Sequence, residues 1–161
     1  MRQFHLALPI NTKENVIEFY LNVLELPVKI LNEEIFFVDF FGTNLAFNFN
    51  KDYTAPELFS MTKKDIEEAR KNYLIKSFHF GALISKKEFD QLILNCKKHN
   101  IKFIIEPNII NEGKHNEQFL AFILGPCDHI IEIRSISEDF KLENISEFAQ
   151  QLTQHENKKY I

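Results

Sequence analysis

The sequence has no tryptophan, only two cysteines, no basic run and no long apolar segment. Its longest wholly apolar stretch, residues 119–124, is far too short to span a bilayer. Nineteen Lys and Arg against 23 Asp and Glu give a net charge of −4, so a nucleic-acid partner is not expected. The first residues show no signal-peptide pattern. We therefore expect a cytoplasmic protein that binds neither a membrane nor nucleic acid.

The usual signatures of nucleotide-dependent and nucleophilic enzymes are also absent. The sequence contains no P-loop, no dinucleotide-binding fingerprint and no Ser-His-Asp or Cys-His pattern. Cys96 and Cys127 lack CxxC spacing, and we expect both to be free thiols. What the chain does have is 17 phenylalanines in 161 residues. This composition predicts one domain with a core built from aromatic rings.

Two segments of the chain, residues 4–11 and 78–85, nearly repeat one another. Each carries a histidine on a short apolar strand, a helix-capping residue six positions later, and a glutamate three positions after the cap. These residues are His5, Asn11 and Glu14 in the first copy, and His79, Ser85 and Glu88 in the second. The cap-x-x-Glu pattern is typical of a helix N-terminus. Two copies in register indicate an internal duplication of a strand-then-helix module.

Hydrophobic periodicity predicts three further strands after each of the two helices. The fold class is therefore predicted to be α+β, with two tandem βαβββ modules. A single domain should span residues 1–136, with module one at 3–50, a linker at 51–77 and module two at 78–136. The linker carries a short charged helix capped by Thr62. Residues 137–161 form a polar tail, with a short C-terminal helix after Asn144.

Three residues on the predicted strands could carry chemistry together: His5, His79 and Glu132. An ionised glutamate in an apolar strand needs a partner, because burying it alone is costly. Two histidines and a carboxylate can form a facial metal triad with open positions, suited to Fe, Mn, Zn, Ni or Co. Each histidine alone is more simply explained as a satisfied core residue. The repeat favours the metal site, because it places both histidines at equivalent positions.

This arrangement resembles the vicinal oxygen chelate superfamily, which includes glyoxalase I, extradiol dioxygenases, fosfomycin-resistance proteins and bleomycin-binding proteins. The resemblance covers roughly residues 3–136. It implies paired modules that form a cupped mixed sheet around a divalent metal, with His5, His79 and Glu132 as ligands. The chain is also similar to a narrower group of small glyoxalase/dioxygenase-like bacterial proteins. The matching segments are residues 5–7, 39–42, 79–81, 103–107, 117–118 and 132–133.

Two positions depart from the family pattern. Residues 125–129 read Gly-Pro-Cys-Asp-His where the narrower group has Asp-Pro-x-Gly-Asn, so the glycine of the turn is missing. Asn44 stands at the expected place of a Glu or Gln in the fourth strand of module one. Because asparagine is a weak ligand and no base, this departure argues against true glyoxalase I chemistry.

The remaining candidates have open alternatives. Arg134 should share a face with Glu132, and it either holds an anionic substrate group or pairs with a carboxylate. His115 and His129 fall in predicted loops, where surface histidines are the simpler interpretation and a general base is the alternative. Glu132 is the predicted catalytic residue as well as a ligand, and Arg134 is the predicted substrate-binding residue.

The sequence thus predicts a metal-dependent enzyme acting on a small substrate with two neighbouring oxygens. A triad with one carboxylate leaves room for a bidentate substrate and dioxygen, which favours a dioxygenase over a glyoxalase or lyase. The alternatives are a non-catalytic small-molecule binding protein of the same fold and a degenerate interaction domain with its histidines in the core. The Phe-rich strands and the superfamily resemblance also predict a homodimer.

Overall fold

The computed structural model describes residues 5–55 and 61–136. The strands are β1 His5–Ile10, β2 Val28–Ile30, β3 Ile35–Phe40, β4 Thr43–Phe49, β5 Phe80–Ile84, β6 Phe103–Ile110, β7 Gln118–Leu124 and β8 Ile130–Ile136. The helices are α1 Lys13–Glu18, which continues into a π-helical turn at Phe19–Val23, then α2 Lys63–Asn72 and α3 Lys86–Lys98. The C-terminal helix predicted after Asn144 lies outside the described residues.

The two halves of the chain repeat one topology. The strand orders are β1-β4-β3-β2 and β5-β8-β7-β6, with the first pair of each sheet parallel and the other pairs antiparallel. This confirms the α+β fold of two βαβββ modules. The structure adds that the described strands form two separate four-stranded sheets.

The repeated capping signal behaves differently in its two copies. Ser85 and Glu88 form a reciprocal capping box at the start of α3, as predicted. In module one the N-cap is Thr12, which makes no side-chain cap bond. Asn11, the predicted cap, instead donates its side-chain N–H to the carbonyl of Tyr53 at 3.0 Å. Duplication therefore preserved the strand and the helix, while the contacts at the helix start diverged.

A shared aromatic core joins the modules. Phe47 stacks on Phe36 with ring centroids 5.1 Å apart, and Tyr20 packs on Phe47 at 5.0 Å. Phe40 of β3 contacts Phe80 of β5 edge-on at 5.6 Å, across the module boundary. Such aromatic pairs add about 0.5–1.5 kcal/mol beyond their buried area. The predicted phenylalanine-rich core is thus also the joint between the two halves.

A second cluster forms where α2 covers part of module two. Ala69 and Ile75 pack with Ile104, Leu120 and Phe122 in this cluster. Arg70 fastens the helix by donating from Nε to the carbonyl of Ile104 at 2.8 Å. The linker is therefore part of the module-two core, and its helix begins at the predicted Thr62 cap.

The turn before β8 forms without the family's glycine. Cys127 (φ 56°) and Asp128 (φ 59°) both occupy the left-handed region, which costs an ordinary L-residue about 1–2 kcal/mol. His129 follows at 1% exposure and packs against Phe47 and Phe80, with ring centroids 6.3 Å away in each case. The expectation that His129 lies on the surface is wrong, because the turn directs the ring into the joint between modules.

Burial lowers the pKa of His129 from 6.5 to about 4, against the opposing influence of the Asp128 charge. The unfolded chain therefore takes up a proton between these values and the folded chain does not. The contribution of neutral His129 to the free energy of unfolding is complete above pH 6.5 and is lost as the pH falls toward 4. We expect the free energy of unfolding to drop by about 2 kcal/mol more between pH 7 and pH 5 in wild type than in His129→Phe.

Urea denaturation across this pH range measures the difference. His115→Phe is the matched control, because it makes the same substitution at an exposed histidine. If the free energy of unfolding changed with pH to the same extent in wild type and in His129→Phe, the prediction would be contradicted.

Candidate metal centre in the second module

Glu132 and His79 meet beside the edge strand of the second sheet. Glu132 lies at the third position of β8, opposite Gly81 of β5, and His79 precedes β5 directly. His79 Nε2 is 3.6 Å from Glu132 Oε2, and the two side chains are 29% and 18% exposed. The structure thus brings together two of the three predicted metal ligands.

The His79 ring is held in one orientation. Its Nδ1 lies 2.9 Å from the carbonyl oxygen of Ser77. Because a carbonyl only accepts, Nδ1 carries the proton, and in the neutral ring Nε2 keeps its lone pair. Phe122 supports the ring edge-on, with centroids 5.3 Å apart. The lone pair therefore faces Glu132, and a backbone hydrogen bond on the other nitrogen is typical of metal-binding histidines.

Arg134 holds the other oxygen of the Glu132 carboxylate. Its Nε donates to Oε1 at 2.8 Å, and its Nη2 lies 2.5 Å from the same oxygen. Its Nη1 donates to the Gln118 side-chain oxygen at 2.9 Å. The mostly buried carboxylate thereby gains the charged partner that its position in an apolar strand requires. Of the two roles expected for Arg134, the structure shows pairing with a carboxylate. Contact with an anionic substrate stays a prediction.

The pair of donors fits a divalent metal ion. A separation of 3.6 Å is too long for a hydrogen bond. An ion with bonds of about 2.0–2.2 Å to imidazole nitrogen and carboxylate oxygen can bridge that gap. One neutral imidazole and one carboxylate are also the ligand types that Fe, Mn, Zn, Ni and Co accept.

Gly81 makes room for Glu132. A Cβ at position 81 would lie 2.2 Å from the Glu132 carbonyl oxygen and 2.7 Å from its Cβ. Both atoms belong to the neighbouring strand and cannot move aside without shifting it. A residue with no side chain is therefore required opposite Glu132.

His5 lies apart from this pair. The residues that the structure describes contain no group of three His, Cys, Asp or Glu side chains that could hold a metal. The apolar residues Leu8 and Ile133 explain the separation, because both belong to the shared core. By strand alternation, the faces that carry His5 and Glu132 both point away from that core. His5 as a metal ligand stays a prediction.

The strand registers reassign the module-one position that corresponds to Glu132. His5 pairs with Asn44, and Ala7 pairs with Ala46. Ala7 corresponds to Gly81 in the repeat, since each follows its histidine by two residues, and Gly81 pairs with Glu132. The counterpart of Glu132 is therefore Ala46, and the placement of Asn44 at that position was wrong. Because Ala46 has no carboxylate, β4 still supplies no second carboxylate ligand at this position.

Module one has an open cleft of about 700 Å³ that sequence reasoning did not find. Its lining includes Lys29, Phe37, Asp39 and Asn44. His5, Asn44 and Asp39 lie directly opposite one another on three adjacent strands, so they share one face. The sequence feature that could have indicated this cleft is the Asp39-x-x-Gly42 motif. Asp39 Oδ1 accepts the Gly42 N–H at 2.8 Å and shapes the β3–β4 turn.

Known structures share this architecture. A glyoxalase/bleomycin resistance protein/dioxygenase from Alicyclobacillus acidocaldarius is 22% identical, with a TM-score of 0.64 over 86% of this chain and 93% of that one. A glyoxalase/dioxygenase from Nostoc punctiforme is 16% identical, with a TM-score of 0.61 over 83% and 90%. A fosfomycin resistance protein from Listeria monocytogenes is 12% identical, with a TM-score of 0.59 over 89% and 96%.

No family model and no curated protein matches the sequence. The chain nevertheless has the fold of glyoxalase/bleomycin resistance/dioxygenase proteins, which is the fold that its resemblance to the vicinal oxygen chelate superfamily implied. Within the described residues no helix is long and apolar enough to cross a membrane. Cys96 and Cys127 are both free thiols, as predicted.

Substituting Gly81→Ala should damage both the fold and the metal site. The new Cβ must push β5 away from β8, and we expect the free energy of unfolding to fall by about 1–3 kcal/mol. Metal content after dialysis against Zn(II) should fall as well, because Glu132 moves relative to His79. Leu83→Ala is the control, since Leu83 is 42% exposed on the same strand and its truncation creates no clash. Unchanged stability and metal content in Gly81→Ala would contradict this account.

Proposed function

We propose that the protein is a metal-dependent enzyme acting on a small substrate with two neighbouring oxygens. The observation that carries the proposal is the His79–Glu132 pair, with its 3.6 Å gap and its oriented Nε2. Known proteins of this fold include glyoxalases and dioxygenases, which agrees with this class of chemistry. A bound metal would act as a Lewis acid toward the substrate oxygens.

We further propose that the third ligand is His5 of the partner subunit in a homodimer. His5 is exposed on β1, an edge strand, and β5 is the edge strand of the other sheet. Within residues 5–55 and 61–136, each of these strands has one hydrogen-bonded neighbour. Unpaired edges invite association with another chain. Pairing of β1 in one copy with β5 in the other would place the module-one face of the first copy, with His5 and Asn44, beside the module-two face of the second.

The residues around the pair favour oxygen-dependent cleavage over glyoxalase chemistry. A glyoxalase-type proton transfer needs a base beside the metal, and the rung equivalent to Glu132 carries Ala46. Glu132 itself is held by Arg134 and directs its other oxygen toward His79. Three protein ligands would leave positions for a bidentate substrate and for dioxygen. Phe122, which packs edge-on against His79, belongs to the α2 cluster and gives this site an apolar wall on one side.

A non-catalytic binding protein of the same fold is the second candidate. The observation that favours it is that one chain assembles only two of the three predicted ligands. Such a protein would use the module-one cleft of about 700 Å³ to hold a small molecule without a metal. The metal experiments below separate the two functions.

Variants in mixed dimers test where the site is assembled. His5→Ala and His79→Ala homodimers should each lose most of their metal. Co-expression of the two variants should restore about half of the wild-type metal content in the mixed dimer. The reason is that one of its two sites then combines an intact His5 from one chain with an intact His79 and Glu132 from the other.

Metal analysis of differently tagged, doubly purified mixed dimers measures this recovery. His99→Ala serves as the control and should keep full metal content. A mixed dimer without metal would show that the site lies within one chain. Full metal content in both histidine variants, or a 19.1 kDa monomer by light scattering at micromolar concentration, would overturn the shared site.

Oxygen consumption tests the reaction class. Protein reconstituted anaerobically with Fe(II) or Mn(II) should take up oxygen when mixed with catechols or related vicinal diols, and Glu132→Ala should not. An oxygen electrode measures the rate. Absence of uptake with every diol, together with Ni(II)- or Co(II)-supported turnover of a hemithioacetal, would reverse the preference for a dioxygenase.

A further inference from the structure

The geometry points to a positioning role for Arg134: we propose that it restricts Glu132 to a single metal-binding oxygen. This inference rests on the proposed metal site, and it explains how that site would select chelating substrates. The relevant ligand class is a chelating anion with two neighbouring oxygens, as opposed to an anion that binds through one atom.

The two oxygens of the Glu132 carboxylate face different residues. Arg134 places both Nε, at 2.8 Å, and Nη2, at 2.5 Å, on the same oxygen, Oε1. The other oxygen, Oε2, faces His79 Nε2 at 3.6 Å. Charge-assisted bonds from a planar guanidinium are strong and directional. Rotating the carboxylate to present both oxygens to a metal would break these two bonds.

The arginine itself is fixed from the neighbouring strand. Its Nη1 donates to Gln118 Oε1 at 2.9 Å, and Gln118 lies on β7 beside β8. Arg134 and Glu132 are two residues apart on β8, so both side chains lie on one face of the sheet. Three of the five guanidinium N–H groups are thus engaged by two different side chains. This network fixes the position of the guanidinium and, through it, the position of Glu132 Oε1.

The consequence is an additional open position on a bound metal. A carboxylate can bind a metal through one oxygen or through two, and the second mode occupies two coordination positions. With Oε1 held by Arg134, Glu132 supplies only Oε2. A substrate that chelates through two oxygens needs two adjacent open positions, whereas a monodentate anion needs one. Arg134 therefore favours chelating ligands by preserving coordination space.

A simpler role for Arg134 makes a different prediction. If its positive charge only attracts anions, then its removal weakens chelating and monodentate anions of equal charge to the same extent. If it controls the carboxylate, removal selectively weakens the chelating anion. Acetohydroxamate, which binds through two oxygens, and azide, which binds through one atom, are suitable monoanions for this comparison.

The experiment uses the full chain loaded with Co(II) as wild type, Arg134→Met and Arg134→Lys. Titrations with the two anions are followed by the visible absorption of Co(II). We expect Arg134→Met to weaken acetohydroxamate about tenfold or more, as is usual for a lost outer partner of a metal ligand. Azide should weaken no more than about threefold, from the lost charge. The anion-free Co(II) spectrum should also change, because Oε1 becomes available to the metal.

Arg134→Lys separates charge from geometry, because a lysine keeps the charge without the planar fork. It should restore azide binding and leave acetohydroxamate weak. Gln118→Leu should shift the acetohydroxamate affinity in the same direction by a smaller factor. Arg70→Met is the matched control, since Arg70 binds backbone carbonyls of β6, and its anion affinities should equal those of wild type.

The outcomes distinguish this inference from the proposed function. Wild-type protein that binds no Co(II), or His79→Ala protein that binds it equally well, would overturn the metal site and the inference together. Normal Co(II) binding with equal losses for both anions in Arg134→Met would overturn the inference alone. Restoration of acetohydroxamate affinity by lysine would do the same, because charge would then be sufficient.

Discussion

Back-to-back packing of two βαβββ modules on one aromatic core determines the arrangement of this protein. The rings of Phe40 and Phe80 meet across the module boundary, and His129 fills the joint beside Phe47 and Phe80. Because Leu8 and Ile10 of β1 and Ile131 and Ile133 of β8 face this core, His5 and Glu132 lie on the opposite faces of their strands. The placement of His5 and Glu132 on separate outward surfaces follows directly from what the core requires.

The fold was largely predictable because its signals are local and repeated. Alternation along each strand, the Ser85–Glu88 capping box and the Thr62 cap all lie within a few residues of one another. Contacts made over long distances in sequence were the ones that prediction missed. His129 sits in a polar turn, and its burial depends on packing against Phe47 and Phe80, which are distant in sequence. Asn44 was misplaced because strand register, which assigns Ala46 to the rung of Glu132, cannot be counted from residue spacing alone.

The candidate site illustrates the same limit at the level of side chains. The pairing of His79 with Glu132 was predictable from the duplicated strand and the lone carboxylate on β8. The contacts that orient His79 and Glu132 were not predictable, because they come from three other segments of the chain. They are the carbonyl of Ser77, the ring of Phe122 and the side chain of Gln118. These neighbours orient one nitrogen and one oxygen toward each other. They convert two ordinary polar residues into a preorganised pair of donors.

The pairing of Gly81 with Glu132 has a consequence for how the duplicated modules diverged. Module one carries alanine at both equivalent positions, Ala7 and Ala46, and its strands accommodate a methyl group on each side of the rung. Module two has glycine at position 81 because a Cβ there would meet the carbonyl oxygen and the Cβ of residue 132. Those atoms are present whether residue 132 is glutamate or alanine, so the close approach of β5 to β8 belongs to the backbone and not to the carboxylate. Loss of Glu132 would therefore not permit an alanine at position 81, whereas a carboxylate at position 46 would meet no such backbone requirement at Ala7, so the constraint on the two halves is one-sided.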